Sequence, residues 1–492
     1  MKQIKIDPIT RLEGHGKVDI FVNDDGDCEN AYFQIPELRG FEKFCVGRPV
    51  EELPRITERI CGVCPEAHHM ASVKACDAVF NVEVPRPGRL LRELLYYFFY
   101  TADHTVHFYA LGAPDFVLGP TAPPAERNIL GLIHKVGIDA GKQVIALRAR
   151  CQEMIEMLGG KKIHQVTCLP GGINKVLTEE ERKKCEDYAR QNIEFGKFTF
   201  KVFADVVLAN PEYVDLITGP IYRHDTYSMG LVDDAGQVHF YEGKVRVVDP
   251  EGKEFCLYAP DEYRDHVAEH VESWTYLKYP YLKAIGWKGF VDGKDSGVYT
   301  CTPQSRLNVS KGMPTPLAQE EYEKYYETLT GDRSGNTPVH ARLAIHWARI
   351  IELMHAAEHC LELATDPEIT SPETRAIPTE TPNEGVAIVE APRGTLTHHY
   401  KTDEKGIVTM ANLIVGTTNN YAPITMSIQK AAKSLIKKGN EVTEGILNMI
   451  EMAFRGYDPC FGCATHSLPG EMPLIVNIRD SSGELIREIR RD

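Results

Sequence analysis

The sequence predicts a mainly α fold (α+β), a central bundle of long helices with small β-containing regions at the N-terminus and around 214–310. Three observations carry this. Between about residues 88 and 454, five long segments repeat apolar residues at i, i+3, i+4 and i+7, the helical period. The first fifty residues instead alternate apolar and polar side chains around the turn Asp24–Asp27, a hairpin signal. Residues 214–310 are rich in Gly, Tyr and Asp and include the strand-like "GKVRVVDPEGKEFCLYAP".

In chain order, residues 1–85 form the N-terminal β region and hold a first Cys-x-x-Cys pair. Residues 86–213 form the first part of the bundle, with helices expected over 88–112, 126–160 and 178–209. Residues 214–310 form a smaller α/β region. Residues 311–466 complete the bundle, with helices over 340–364 and 422–454, and carry a second Cys pair; the Pro- and Thr-rich stretch 365–385 is a surface connection. Residues 467–492 are a C-terminal extension in which "MPLIVNIRD" reads as a strand. Helices of 25 residues or more are best accommodated as a buried bundle.

The chain has 492 residues, 43% hydrophobic and 25% charged, an ordinary globular composition. Its net charge of −15 argues against nucleic-acid binding, which needs clustered Lys and Arg. Neither a signal peptide nor an apolar run long enough for a membrane span is evident, so the expected location is cytoplasmic. Thirteen cysteines in such a chain do not make a disulfide framework. Nine stand alone as small buried hydrophobes.

The other four are paired. "RICGVCPEAHH" supplies Cys61, Cys64, His68 and His69, and "DPCFGCATH" supplies Asp458, Cys460, Cys463 and His466. Each Cys-x-x-Cys offers two thiolates to one ion, and four make a soft site suited to zinc, iron–sulfur or nickel rather than Mg or Ca. A closed four-cysteine zinc site is the plain alternative. Zinc ribbons and fingers, however, set their pairs about 12–20 residues apart, whereas these stand at opposite ends of the chain.

"DPITRLEGH" (7–15) and the two cysteine motifs, taken as a set, closely resemble the large, catalytic subunit of nickel–iron hydrogenases, of the soluble cytoplasmic bidirectional type. The resemblance runs along essentially the whole chain. It implies that Cys61 and Cys460 are terminal nickel thiolates and that Cys64 and Cys463 bridge nickel to an iron carrying CO and cyanide. It further implies a magnesium held by Glu42 of "LRGFE", the carbonyl of Leu413 and His466. Arg393 of "APRG" would hang over the metals, flanked by the carboxylates of Asp103 and Asp458, and His68 would hydrogen-bond a bridging thiolate. For each there is a plainer reading: surface ion pairs for Arg393 and the two Asp, a solvated Glu42, a structural His68.

The implied reaction is reversible heterolytic cleavage of H2, which needs a Lewis-acidic metal for the hydride and a nearby base for the proton. A terminal thiolate is the first proton acceptor, Arg393 a competing one. Glu13 of "TRLEGH" is the expected relay, since burial brings a carboxyl pKa towards neutrality; its plainer reading is a capping carboxylate. With four cysteines used by the centre, no ferredoxin-type Cys run and no Gly-x-Gly-x-x-Gly remain, so no iron–sulfur cluster is expected in this chain. Electrons would pass to an iron–sulfur small subunit, then through flavin/iron–sulfur electron-transfer subunits to a nicotinamide- or ferredoxin-type acceptor. The resemblance also implies a maturation endopeptidase that cuts after His466 once nickel is in place.

Three rivals are weaker. An H2-sensing regulatory subunit could use the same site. The related non-enzymatic complex I subunit lacks the four thiolates. His355, Glu358 and His359 match an inverted zinc-protease motif, but their helix is simply His-rich.

Overall fold

The computed structural model describes residues 2–7, 10–35, 40–275, 277–461, 474–479 and 484–491. The helices that matter for the site are α1 (Pro65–Val79), α2 (Arg86–Val106), α3 (Ile129–Val136), α4 (Ile138–Gly159), α5 (Glu179–Phe203), α6 (Pro303–Val309), α7 (Ile345–Thr365), α8 (Tyr421–Leu435) and α9 (Glu444–Arg455). Helix α7 packs between α2 and α5, and α4 closes on α2, which makes the expected bundle. Helices α2 and α7 are buried along most of their length, and the charged side chains they carry, such as Arg92 and Glu352, are buried with them. Helix α5 starts at a capping box, in which Thr178 accepts from Glu181 N and Glu181 returns to the Thr178 N–H.

Two of the expected long helices are divided. The 126–160 segment breaks at Gly137 (φ 96°, ψ 153°) between α3 and α4, a conformation open only to glycine. The 422–454 segment breaks between α8 and α9, where Thr443 starts α9 by accepting from Ile446 N. Both α2 and α5 continue into π-helical turns, at His107–Gly112 and Ala204–Leu208.

The strands of the three sheets described below are β1 (Lys2–Ile6), β2 (Lys17–Val22), β3 (Cys28–Gln34), β4 (Tyr227–Val232), β5 (Lys244–Val248), β6 (Glu254–Tyr258), β7 (Glu384–Ala391), β8 (Gly394–Thr402), β9 (Val408–Ile414), β10 (Leu474–Arg479) and β11 (Leu485–Arg491); short strands such as Tyr299–Thr300, parallel to β4, add to these. The N-terminal hairpin β2–β3 forms around Asp24–Asp27 as expected, with Asn23 Oδ1 accepting from the Gly26 and Asp27 N–H groups. Its sheet has the order β11-β10-β1-β2-β3, so the C-terminal extension folds back as a hairpin on the outer edge of β1, Ile4 opposite Ile478. Strands β4–β6 make the smaller antiparallel sheet near residues 214–310. A third sheet, β7-β8-β9, lies inside the segment expected to complete the bundle. Most of β7 and β8 is buried on both faces, so neither shows the alternation that marks a half-exposed strand.

Burial sets an acid limit on stability. The rings of His68 and His346 are held neutral to about 3, and those of His69 and His104 to about 4, chiefly by desolvation. Their folded pKa values are depressed, so the stability they contribute is full above about 6.5 and is lost as pH falls towards 4. Desolvation raises Glu58 and Glu66 to about 8, so their contribution has the opposite sign and is lost as pH rises through 8. The histidines outnumber the carboxylates. The urea midpoint of the metal-free chain is therefore expected to fall between pH 6.5 and 5, at about 1.4 kcal/mol per pH unit for each uncompensated group. An unchanged midpoint at pH 5 would show that these rings are solvated.

Candidate metal centre

The first cysteine pair sits where a tight turn enters α1. Cys61 has an extended backbone (φ −128°, ψ 133°), and Cys64 is the N-cap of α1, followed by Pro65 at its first position. The Val63 and Cys64 N–H groups donate to Cys61 Sγ at 3.3 and 2.8 Å. Two backbone N–H groups therefore converge on this sulfur and fix its position.

Cys460 arrives from the opposite end of the chain. After α9 the backbone turns through Asp458 in the left-handed region (φ 57°), unusual for a non-glycine residue and found most often at functional sites. The strand-like step that follows pairs Cys460 in parallel with Glu13, and Phe461 N–H donates to Glu13 O at 2.9 Å. Cys460 Sγ then lies 3.2 Å from Glu13 Oε2 and 3.6 Å from Cys61 Sγ, and Cys61 Sγ lies 2.7 Å from Cys64 Sγ. All three sulfurs fall within 4.8 Å of one another, and among the described residues no other such group of Cys, His, Asp or Glu is found. Cys463 and His466 lie outside the described residues.

The rest of "TRLEGH" explains how Glu13 is held. Thr10 N–H and Oγ1 donate to the Glu451 carboxylate at 3.1 and 2.6 Å. Arg11, with φ 54°, donates to Asn448 Oδ1 at 2.9 Å and to Asp115. Arg455 closes the network onto Asp115 and Glu451, both at 2.6 Å. The segment before Glu13 is thus bolted to α9, whose end leads directly to Cys460.

Above the sulfurs lies Arg393, donating to Asp103 at 3.1 Å and forming an ion pair with Asp458 at 3.0 Å, with all three side chains buried. Burial by itself lowers the Arg393 pKa, but Asp103, Asp458 and the Cys64 sulfur outweigh it and raise it well above the ordinary value. Arg393 is therefore held as a cation, which counts against it as the proton acceptor. Desolvation, aided by the Asp103 charge, pushes Asp458 up to about 7 against the pull of Arg393 and Arg349. The Cys64 thiol is pushed far up by its hydrogen bond to Cys61 and by burial. Three cysteine sulfurs drawn together at one place make a soft donor set, which fits a soft metal.

His68 lines the same cavity, about 210 Å³, as Cys64, Cys460 and Arg393. Its Nδ1 is 3.3 Å from His398 Nε2, which leaves Nε2 as the nitrogen available to that cavity. Glu42 and Leu413 line it too. Glu42 Oε1 accepts from Leu413 N–H at 2.9 Å, and Lys278 Nζ stands 3.9 Å from Glu42 Oε2. Glu42 and Leu413 are therefore neighbours on the sulfur cavity.

Sequence reasoning missed Arg349 and His107. Arg349, fully buried on α7, donates to Gly456 O at 2.9 Å, and His107 Nε2 is 2.9 Å from Arg455 O and 3.9 Å from Asp458. Together they fix the turn that carries Asp458. An arginine inside the otherwise apolar run "HWARIIEL" was the available signal. The protease-like triplet is structural: Glu358 accepts the Leu317 and Ala318 N–H groups at 3.0 Å, and His355 pairs with Thr315 at 3.1 Å.

The comparisons agree with this geometry. The family model described as nickel-dependent hydrogenase matches residues 39–125 and 124–466, and one described as HoxL-like matches 3–38. The chain is 50% identical over 490 residues to the iron-sulfur subunit of an F420-non-reducing hydrogenase from Archaeoglobus profundus, covering 100% of both chains. It is 38% identical over 506 residues to the NAD-reducing hydrogenase HoxS subunit beta of Cupriavidus necator, again covering 100% of both. It superimposes on a chain of an NAD+-reducing [NiFe]-hydrogenase in the H2-reduced state with a TM-score of 0.84 at 36% identity, covering 94% of this chain and 99% of that one. With a cluster of cysteine sulfurs assembled from both ends of the chain, and matches that span its whole length, the chain belongs to the nickel-dependent hydrogenase family, as a catalytic large subunit.

Proposed function

We propose that this subunit carries out reversible heterolytic cleavage of H2, with Glu13 as the group that moves the proton away from Cys460. The observation that carries this reading is the 3.2 Å contact between Cys460 Sγ and Glu13 Oε2, beneath an arginine held as a cation. Cys61, Cys64, Cys460 and Cys463 would hold nickel, Cys64 and Cys463 would also hold an iron bearing CO and cyanide, and Glu42, the Leu413 carbonyl and His466 would hold magnesium. When bound, the centre supplies the Lewis acidity and the thiolate basicity that H2 splitting needs.

The protein's own part is to place charge and protons. Glu13 accepts a proton from Cys460 at hydrogen-bond distance, without the motion a longer transfer would need. Arg393 presents a fixed positive charge over the cavity, oriented by Asp103 and Asp458 on its two ends. His68, neutral through burial, offers a hydrogen bond and adds no charge.

Electrons would leave through an iron–sulfur small subunit, then through further flavin/iron–sulfur subunits to a soluble nicotinamide- or ferredoxin-type acceptor. A relative named NAD-reducing fits a soluble acceptor. No helix among the described residues is long and apolar enough to cross a membrane, in keeping with a cytoplasmic enzyme. Residues 467–492 would be cut off after His466 by a maturation endopeptidase. Before that cut, β10 of this extension pairs with β1.

Elemental analysis and intact mass of the chain from its native host test this reading. The expected result is about one nickel and one iron per chain with a mass ending at His466. Zinc on a chain that stays full-length in the native host would overturn it.

A further inference from the structure

Helix α7 carries a carboxylate, Glu352, that joins the two elements bearing the Arg393–Asp103 pair. Arg393 stands at the tip of the β7–β8 hairpin, where Ala391 pairs with Gly394 and only Pro392 and Arg393 form the loop. Asp103 stands on α2. Below their mutual contact, Tyr96 and Tyr100 of α2 donate to Glu390 O of β7, Tyr100 at 2.7 Å, which ties the helix to the strand before the hairpin tip.

The tie that reaches the tip itself is a second arginine. Arg306 of α6 is fully buried, and all five of its N–H groups have acceptors. Nε and Nη2 donate to Glu352 at 2.6 and 2.7 Å, and Nη1 to Glu390 Oε2 at 3.0 Å. The remaining two reach backbone: Nη1 to Ala391 O at 3.1 Å and Nη2 to Pro392 O at 3.2 Å. The Pro392 carbonyl belongs to the peptide bond that leads into Arg393. On the other side, Glu352 Oε2 accepts from His104 Nε2 at 2.9 Å, and His104 is the residue after Asp103.

The surroundings are cut to fit this cluster. A Cβ on Gly230 of β4 would lie 3.0 Å from Arg306 Cγ, so glycine leaves the space the arginine fills. Gly394 has φ 147°, and a Cβ there would meet Cys301 O at 2.5 Å and Gly416 O at 2.7 Å. Asn420 Nδ2 donates to Arg393 O at 2.8 Å from the other side of the loop. Buried ion clusters are often replaceable by apolar residues without loss of stability. That makes position, rather than stability, the reason to build one here.

We propose that Arg306 and Glu352 are positioning residues for the reaction, acting through the hairpin tip and through His104 to set the placement of Arg393 against Asp103 over the sulfurs. The proposal rests on the catalytic reading above. Lysine cannot reproduce it, because its three donors radiate from one nitrogen and cannot span two carboxylates and two carbonyls in one plane.

The test is Arg306→Lys in the complete enzyme from the native host, beside Arg92→Lys as control. Arg92 is equally buried and donates to Asp77 at 2.6 Å, but it touches none of these groups. Three readouts are taken: nickel and iron content, kcat against KM for H2, and the infrared bands of the diatomic ligands next to Arg393. The expected result for Arg306→Lys is unchanged metal content, shifted infrared bands, and kcat lowered about tenfold or more with KM little changed. Arg92→Lys is expected to lose thermal stability while keeping wild-type bands and kcat. Wild-type bands in Arg306→Lys overturn the proposal, as do shifts of equal size in both variants, which would mean general softening of the core. If Arg306→Lys does not accumulate, Glu352→Gln carries the same readouts, and unchanged bands there overturn it. A wild-type enzyme lacking nickel and diatomic bands would instead mean that the catalytic reading itself has failed.

Discussion

Cys460→Ser, purified anaerobically from the native host, is expected to carry less than about a tenth of the wild-type nickel and to show no measurable H2 oxidation. Three of the four proposed thiolates lie within 4.8 Å of one another, and Cys460 is the one that links the C-terminal segment to the Cys61–Cys64 turn. A serine hydroxyl is a hard donor that stays protonated at neutral pH, so the soft site loses both a charge and a ligand. Cys61→Ser is expected to behave alike, since Cys61 is the sulfur at which the two backbone N–H donors converge. Cys185→Ser serves as the control: that thiol is fully buried against Met154, away from the cluster, and its loss should cost stability and not nickel. Elemental analysis of the three variants decides the matter. Full nickel in Cys460→Ser would remove this sulfur from the centre.

Glu13→Gln separates proton transfer from metal assembly. The amide keeps the size of the carboxyl group, and the hold on this segment comes from the Thr10 and Arg11 side chains and the Glu13 backbone, so placement should survive. What is lost is a group that can take a proton from Cys460 at 3.2 Å and pass it on. The expected outcome is wild-type nickel and iron with H2 oxidation lower by about 10²–10⁴-fold, the range typical of removing a positioned acid–base group. Glu13→Asp, shorter by one methylene, should fall between the two. Rates and metal content measured on the same samples check this. A fully active Glu13→Gln enzyme would assign the proton to another group, and a metal-free one would make Glu13 an assembly residue.

Much of the fold is legible because helix and hairpin signals are local. The apolar repeats survive in the structure because α2 and α7 are buried along most of their length and α5 buries one stripe, Cys185 to Phe203, against the bundle. The misread segments have local causes as well. Gly137 interrupts a continuous apolar repeat, and a single glycine is a weak sign when the pattern on both sides still fits one helix. The sheet β7-β8-β9 was hidden because burial on both faces removes the period-2 pattern.

For the site, the sequence by itself determined the chemistry on offer: two Cys-x-x-Cys pairs, a glutamate near the N-terminus and an arginine between Pro and Gly, all of which the motifs display. It could not determine which of these groups meet. Glu13 and Cys460 become neighbours only because Thr10 and Arg11 bind α9 and a parallel bridge aligns the two strands. Likewise, Arg306, Glu352 and Arg349 look in sequence like ordinary charged residues on helices. Only the packed bundle, where a buried charge must find a partner or titrate, turns them into the frame that holds Arg393 and Asp458. Residue identity fixes which bonds are possible, while pairing across hundreds of residues is decided by tertiary packing, where desolvation makes every unpartnered polar group costly.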